Sequence, residues 1–187
     1  MTSDFAEAYE DSLPRVYAFF AYRTGSREDA EDLTQATFER ALRHWRRYDP
    51  RRASPATWLL AIARNLLIDH ARSAKARPST VAWDTGAEEA TETDPIGALG
   101  PDPDLLAALA QLTPRDREIV ALRFGADLTG PEIAALTDLT LANVQQIVSR
   151  SLRRLRELLE QPDQAANGPT PSGPRPATSR SADPIRP

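Results

Sequence analysis

The stretch TGPEIAALTDLTLANVQQIVSRSLRRLRELL, residues 129–159, reads as two helices joined by a short turn, the second running into an arginine-studded tail. Thr129 can cap the first helix, since its hydroxyl can accept from an otherwise orphaned backbone N–H, and Glu132 completes a capping box. Ile133, Ala134 and Leu136 supply the inner face, and the small Ala134 lets the next helix cross closely, as a helix-turn-helix requires. The turn is Thr137-Asp138-Leu139-Thr140. Asp138 stands where glycine is usual, and Asp is one of the few other residues that tolerates a left-handed backbone. Val144, Val148, Leu152, Leu155 and Leu159 recur at helical intervals, which predicts one buried stripe. Thr140, which also caps the second helix, and Asn143, Gln145, Gln146, Ser149, Arg150 and Arg153 are left to meet base edges and phosphates. A plain amphipathic helix with a solvated face would show the same spacing, so the rest of the chain has to decide.

The chain of 187 residues has a formal net charge of −4, which argues against nucleic-acid binding only if charge is evenly spread. It is segregated. Residues 1–39 are acidic; residues 40–77 carry Arg40, Arg43, Arg46, Arg47, Arg51, Arg52, Arg64, Arg72, Lys75 and Arg77 against only Asp49 and Asp69. Residues 84–104 are purely acidic again, a block pattern that suggests several partners of different sign. The absence of cysteine excludes a disulfide scaffold, a thiol nucleophile and a cysteine-based zinc site. The acidic start lacks the regions of a signal peptide and no apolar run reaches membrane-spanning length, so a soluble, cytoplasmic protein without membrane insertion is expected.

Along the chain, Phe5, Tyr9, Leu13, Val16, Tyr17 and Phe20 mark a helix over 4–23, which Pro14 should kink or restart. Ser26 opens a second helix to about Arg47, with Ala30, Leu33, Thr37, Phe38, Ala41 and Trp45 turned inward. Residues 48–53 form a loop around Pro50, and Ser54 with Pro55 starts a third helix to about Lys75. The expected organisation is all-α: a helical domain over 1–77, a flexible acidic linker over 78–103, a helix-turn-helix domain over 104–160, and a disordered Pro-rich tail over 161–187.

Together, DAEDLTQATFERALRHW (29–45), ATWLLAIARNLLIDHAR (56–72), LTPRDREIVALRF (112–124) and EIAALTDLTLANVQQIVSRSLRRLREL (132–158) resemble the extracytoplasmic-function (ECF) sigma factors, the small promoter-specificity subunits of bacterial RNA polymerase. The likeness covers about residues 5–160, and both pairs of motifs in this order are far more specific than the second alone.

The resemblance implies that the helix over 26–47 docks on a basic coiled coil of core RNA polymerase. Glu28, Asp29, Asp32, Gln35 and Glu39 offer a surface of opposite charge for such a partner. It implies that the loop 48–54 and the start of the third helix capture an unpaired base of the −10 element. The candidates there are Tyr48, Arg51, Arg52, Ser54, Arg64 and Asn65, with Arg43, Arg46 and Arg47 on phosphates. Trp45 and Trp58 lie on apolar stripes and read as core. Asp69 reads as the partner of a nearby arginine. The second domain would read the −35 element of promoter DNA. Gln145, Gln146 and Ile147 stand where the family often has a basic residue, and Asn143 with Gln146 suggests an adenine in that element. Asp84, Glu88, Glu89, Glu92 and Asp94 fit either a mimic of a nucleic-acid strand or a plain tether. An anti-sigma factor is implied as a further partner.

Two other readings compete. A stand-alone helix-turn-helix regulator explains the second domain but neither the acidic helix face nor the basic first domain. An enzyme is poorly supported. His44 and His70 are the only histidines, no glycine loop could cradle phosphate, no metal-ligand spacing occurs, and no cofactor is called for.

Overall fold

The computed structural model describes residues 2–76 and 101–160. The linker residues Asp84 to Asp94 and the tail expected after 160 lie outside them. The described chain is all-helical: α1 Thr2–Thr24, α2 Arg27–His44, a 3-10 turn Trp45–Arg47, α3 Pro55–Ala76, α4 Pro103–Ala110, α5 Pro114–Val120, a π-helical turn Ala121–Gly125, α6 Gly130–Thr137 and α7 Leu141–Glu160.

Local chemistry sets most of these boundaries. Ser26 accepts from the Asp29 N–H at 3.2 Å, and Ser54 accepts from that of Thr57 at 3.2 Å. Thr113 and Thr140 do the same for α5 and α7 at 3.1 and 3.2 Å. At Thr129 both halves of the capping box are made. Asp138 adopts φ 55° and ψ 34°, the left-handed conformation that ends α6. α1 instead runs unbroken through Pro14. Pro14 and Glu10 are both exposed, so water can reach the backbone where the missing N–H leaves a carbonyl unpaired.

α1, α2 and α3 form one three-helix unit around Val16, Phe19, Phe20, Leu33, Phe38, Leu59, Leu60 and Ala63. Each fully buried large side chain contributes about 1.5–3 kcal/mol. Thr34 and Thr37 are also buried, their hydroxyls donating to the Ala30 and Leu33 carbonyls at 2.6 and 2.7 Å. In the second unit, Ala108, Leu109, Leu112, Val120 and Leu155 join α4, α5 and α7. The units do not stand apart. Ile119, Ala121, Leu122, Ala126, Leu128, Ile133, Val144 and Ile147 belong to the same apolar cluster as α1, α2 and α3.

Candidate nucleic-acid interface

α7 buries Val144, Ile147, Ser151 and Leu155, with Val148 and Leu158 half-buried. This corrects the expected stripe: Leu152 and Leu159 are 41% and 44% exposed, and Ile147 faces inward instead of toward DNA. The reason is angular. At about 100° per residue, steps of four drift by about 40°, whereas alternating three and four stays on one face.

Thr140, Asn143, Gln145, Gln146, Ser149, Arg150 and Arg153 all lie exposed along α7 or at its start. Thr140's hydroxyl is committed to the cap. Arg150 reaches back to Asp116 on α5, an ion pair at 2.5 Å that links residues 34 apart in sequence. Asp116 is buried, so one end of that pair is fixed while the guanidinium stays half-exposed. Arg117, next in the chain, turns inward and donates to the carbonyls of Leu109, Ala110 and Leu112 at 2.7, 2.6 and 3.3 Å, covering the C-terminal end of α4. Burial, with the nearby Arg23 charge, pushes its guanidinium down to about 10.

In the first unit, the loop after the 3-10 turn is braced by rings. Tyr48 stacks on Trp45 with centroids 4.8 Å apart; Trp58 lies 5.4 and 5.7 Å from Tyr48 and Trp45, and Phe5 lies 5.1 Å from Trp45. Both tryptophans, read as core, are half-buried in this cluster with Tyr48 rather than sealed away. Tyr48's hydroxyl donates to the Ala53 carbonyl at 3.0 Å, and burial first, then Asp4 and Asp49, raise its pKa. Asp49 accepts from the Arg51 N–H at 3.0 Å, which shapes the loop tip. Arg51 and Arg52 are exposed there, as are Arg46 and Arg47 just before it. Arg43 donates to the Glu39 carbonyl at 3.2 Å, Asn65 is exposed on α3, and Asp69 sits 3.7 Å from Arg72. Arg64 is the exception: its Nε lies 2.7 Å from the Glu118 carboxylate of α5.

On α2, Glu28, Asp32, Gln35 and Glu39 are exposed; Asp29 is half-buried, 3.6 Å from His70, and Gln35 donates to Glu39 at 3.0 Å. Beside this face α1 and α2 leave a groove of about 590 Å³, floored by Phe5, Tyr9, Leu13 and Phe38 and edged by Glu31, Glu39 and Leu42. Leu42 is 60% exposed, and sequence reasoning passed over it because it falls off the inward stripe of α2. Charge alone singled out this face in the sequence; the groove lies beside it and is largely apolar.

Among the described residues, no helix is long and apolar enough to cross a membrane.

The two helical units correspond to two matched family models, Sigma-70 region 2 over residues 8–77 and Sigma-70 region 4 over residues 108–157. ECF RNA polymerase sigma factor BldN of Streptomyces coelicolor is 32% identical over 164 residues, 86% of this chain but 61% of that protein. ECF RNA polymerase sigma factor RpoE of Cereibacter sphaeroides is 30% identical over 154 residues, 82% of this chain and 84% of that protein. The fold matches that of a sigma factor RpoE from Bartonella quintana, solved in complex with the anti-sigma factor NepR. The TM-score is 0.68 at 23% identity, over 84% of this chain and 97% of that one. The chain belongs to the ECF RNA polymerase sigma factor family.

Proposed function

We propose that this chain joins core bacterial RNA polymerase and directs it to promoters, with three surfaces sharing the work. The acidic face of α2, Glu28, Asp29, Asp32, Gln35 and Glu39, meets a basic partner on polymerase, and the groove edged by Leu42 gives that contact an apolar anchor. The loop 48–54 and α3 then hold the opened −10 strand: Arg51, Arg52, Arg46 and Arg47 bind phosphates around an aromatic cluster that keeps the loop in shape, and Ser54 and Asn65 flank it. The exposed face of α7 reads the −35 duplex, with Gln145, Gln146, Ser149 and Arg153 central and Arg150 held at its flank by Asp116. An anti-sigma factor is the expected inhibitor, acting on the chain in the cytoplasm.

The observation that carries this reading is the pairing, in one chain, of an acidic helix face and an arginine-rich loop on one unit with a helix-turn-helix on the other. A stand-alone regulator has no use for the first pair. The test is reconstitution: purified chain with core polymerase on a promoter library should give initiation that neither component gives alone. Asp32→Arg with Glu39→Arg should abolish polymerase binding while leaving the helical content intact. Tight site-specific binding by the chain alone, without initiation, would favour the independent regulator.

A further inference from the structure

The groove between α1 and α2 is an aromatic channel with an acidic edge. Tyr9 and Phe38 meet edge to face in it, centroids 4.6 Å apart, and Phe5 and Leu13 extend its floor. Tyr9 and Leu42 are 38% and 60% exposed, so apolar surface here stands open to solvent. Glu31 and Glu39 line the edge, roughly 12 Å apart along α2. Glu31 is held by Arg27 at 2.8 Å; Glu39 meets the Gln35 amide at 3.0 Å and Arg43 at 3.9 Å. The Glu39 side chain is 56% exposed, and a carboxylate has about four acceptor sites, so it has capacity left for a cation.

Rings with carboxylates beside them suit one class of peptide. Aromatic-lined grooves take proline-rich segments, whose restricted backbone leaves little entropy to lose on binding. The acidic edge then selects a segment with a basic residue next to its prolines.

This chain carries such a segment. Beyond α7 the sequence reads PTPSGPRP over residues 169–176. Pro171 and Pro174 are spaced by one turn of a polyproline helix, which puts both on the same edge of it, and Arg175 follows directly. From 169 to 182 the charged residues are Arg175 and Arg180, both basic. A second pair at this spacing, Pro184 and Pro187, follows Asp183, which the acidic edge repels.

Reach agrees. Leu158, near the end of α7, packs in the cluster that Tyr22 of α1 also joins. Tyr9 lies roughly 20 Å back along α1 from Tyr22, at about 1.5 Å per residue. The chain from Glu160 to Pro171 can span up to roughly 36 Å. Its tether sets a local concentration on the order of mM, enough to fill a contact too weak to join two separate molecules.

We propose that the groove between α1 and α2 is a docking site for residues 171–176 of the same chain, with Pro171 and Pro174 on Tyr9 and Phe38 and with Arg175 paired to Glu39. Resting on the sigma-factor reading, a consequence follows: polymerase needs this same face, so the docked segment competes with it and lowers the affinity of the free chain.

The cysteine-free sequence allows a direct test in the full chain. Spin labels at Arg40→Cys, exposed on α2, and Ala177→Cys, just past the segment, report whether it is seated. A seated segment gives one narrow distance population, whereas a tethered but unseated one gives a distribution tens of ångströms wide. Arg175→Glu should lower the docked-to-free ratio by about fivefold, and adding Glu39→Arg should restore it. Pro171→Ala with Pro174→Ala should abolish the narrow population, and both positions lie outside every described helix. A broad distribution in the wild-type chain would overturn the proposal, as would a narrow one that these substitutions leave intact. A narrow population that vanishes on dilution with unlabelled chain would place the segment in the groove of a second copy and overturn the intramolecular contact. Competition is read separately: Arg175→Glu should bind core polymerase up to about fivefold more tightly than wild type, and equal affinities would overturn that consequence. A docked segment in a chain that never binds polymerase would remove the sigma-factor reading and leave the docking standing.

Discussion

Thr129→Ala should destabilise the chain by about 1.5 kcal/mol at neutral pH, and that loss should shrink in acid. The N-cap of α6 rests on three contacts. Thr129's hydroxyl donates to Glu132 Oε2 at 2.6 Å, the Thr129 N–H donates to the same oxygen at 2.8 Å, and the Glu132 N–H donates back to the hydroxyl at 3.5 Å. Alanine removes the first and third and keeps the second. Loss of a Thr cap costs about 0.5–2 kcal/mol, and the short contact to a carboxylate places this case in the upper half of that range. The Thr129 hydroxyl is the largest influence holding Glu132 below its ordinary pKa of 4.5, ahead of the Thr129 N–H and against burial, with Thr57 and Arg15 adding smaller pulls. A depressed carboxylate stabilises the folded state above the unfolded pKa, and that stability is lost as pH falls through the folded one. The variant has less of it to lose. Urea unfolding of both proteins, followed by helical circular dichroism from pH 7 down through the window below 4.5, should therefore show a gap that is full at neutral pH and narrows in acid. A gap below about 0.3 kcal/mol, or one that does not change with pH, would refute the capping argument; Thr129→Ser should restore most of it.

Other consequences follow from contacts on α7 and in the aromatic cluster. Ser151 is 1% exposed with its hydroxyl unpartnered among the described residues, so Ser151→Ala should be neutral or stabilise by up to about 1 kcal/mol in urea unfolding; a loss of that size would mean a hidden partner. Arg150→Ala in the polymerase-bound chain should lower the slope of log affinity against log salt by about 0.9 on −35 duplex DNA. Asp116→Asn should leave the slope near wild type and weaken binding several-fold, because the charge remains but is no longer held. Trp58→Ala should cost roughly 2 kcal/mol of stability and reduce promoter opening, measured by permanganate reactivity, with Trp58→Phe recovering most of both.

The helix ends were legible in the sequence because caps are local: Ser26, Ser54, Thr129 and Thr140 each bond an amide three residues on. The left-handed Asp138 was legible for the same reason. Faces of helices were less so. Val144, Val148 and Leu152 looked continuous by four-residue spacing, yet the helix carries Leu152 out of the stripe and brings Ile147 in. Ion pairs were least legible. Arg64 and Arg150 read as free cations, but their partners lie 54 and 34 residues away, and only tertiary packing brings Glu118 and Asp116 to them. The groove beside α2 needs two helices to exist, so Tyr9 and Leu42 carried no signal singly.

These pairings bear on how an acidic chain comes to hold DNA. Unassisted non-specific binding by a small module is about 10⁻⁴–10⁻⁶ M at physiological salt, and here two of the arginines placed to improve on it are partly engaged: Arg64 by Glu118 and Arg43 by Glu39. Each must exchange a carboxylate for a phosphate, so its net gain on DNA is smaller than its charge suggests. A chain built this way gains little from meeting DNA alone. On the proposed function, polymerase changes the balance: contact through α2 would raise the local concentration of promoter for both units, making the second engagement intramolecular. Affinity then depends on the complex rather than on the chain.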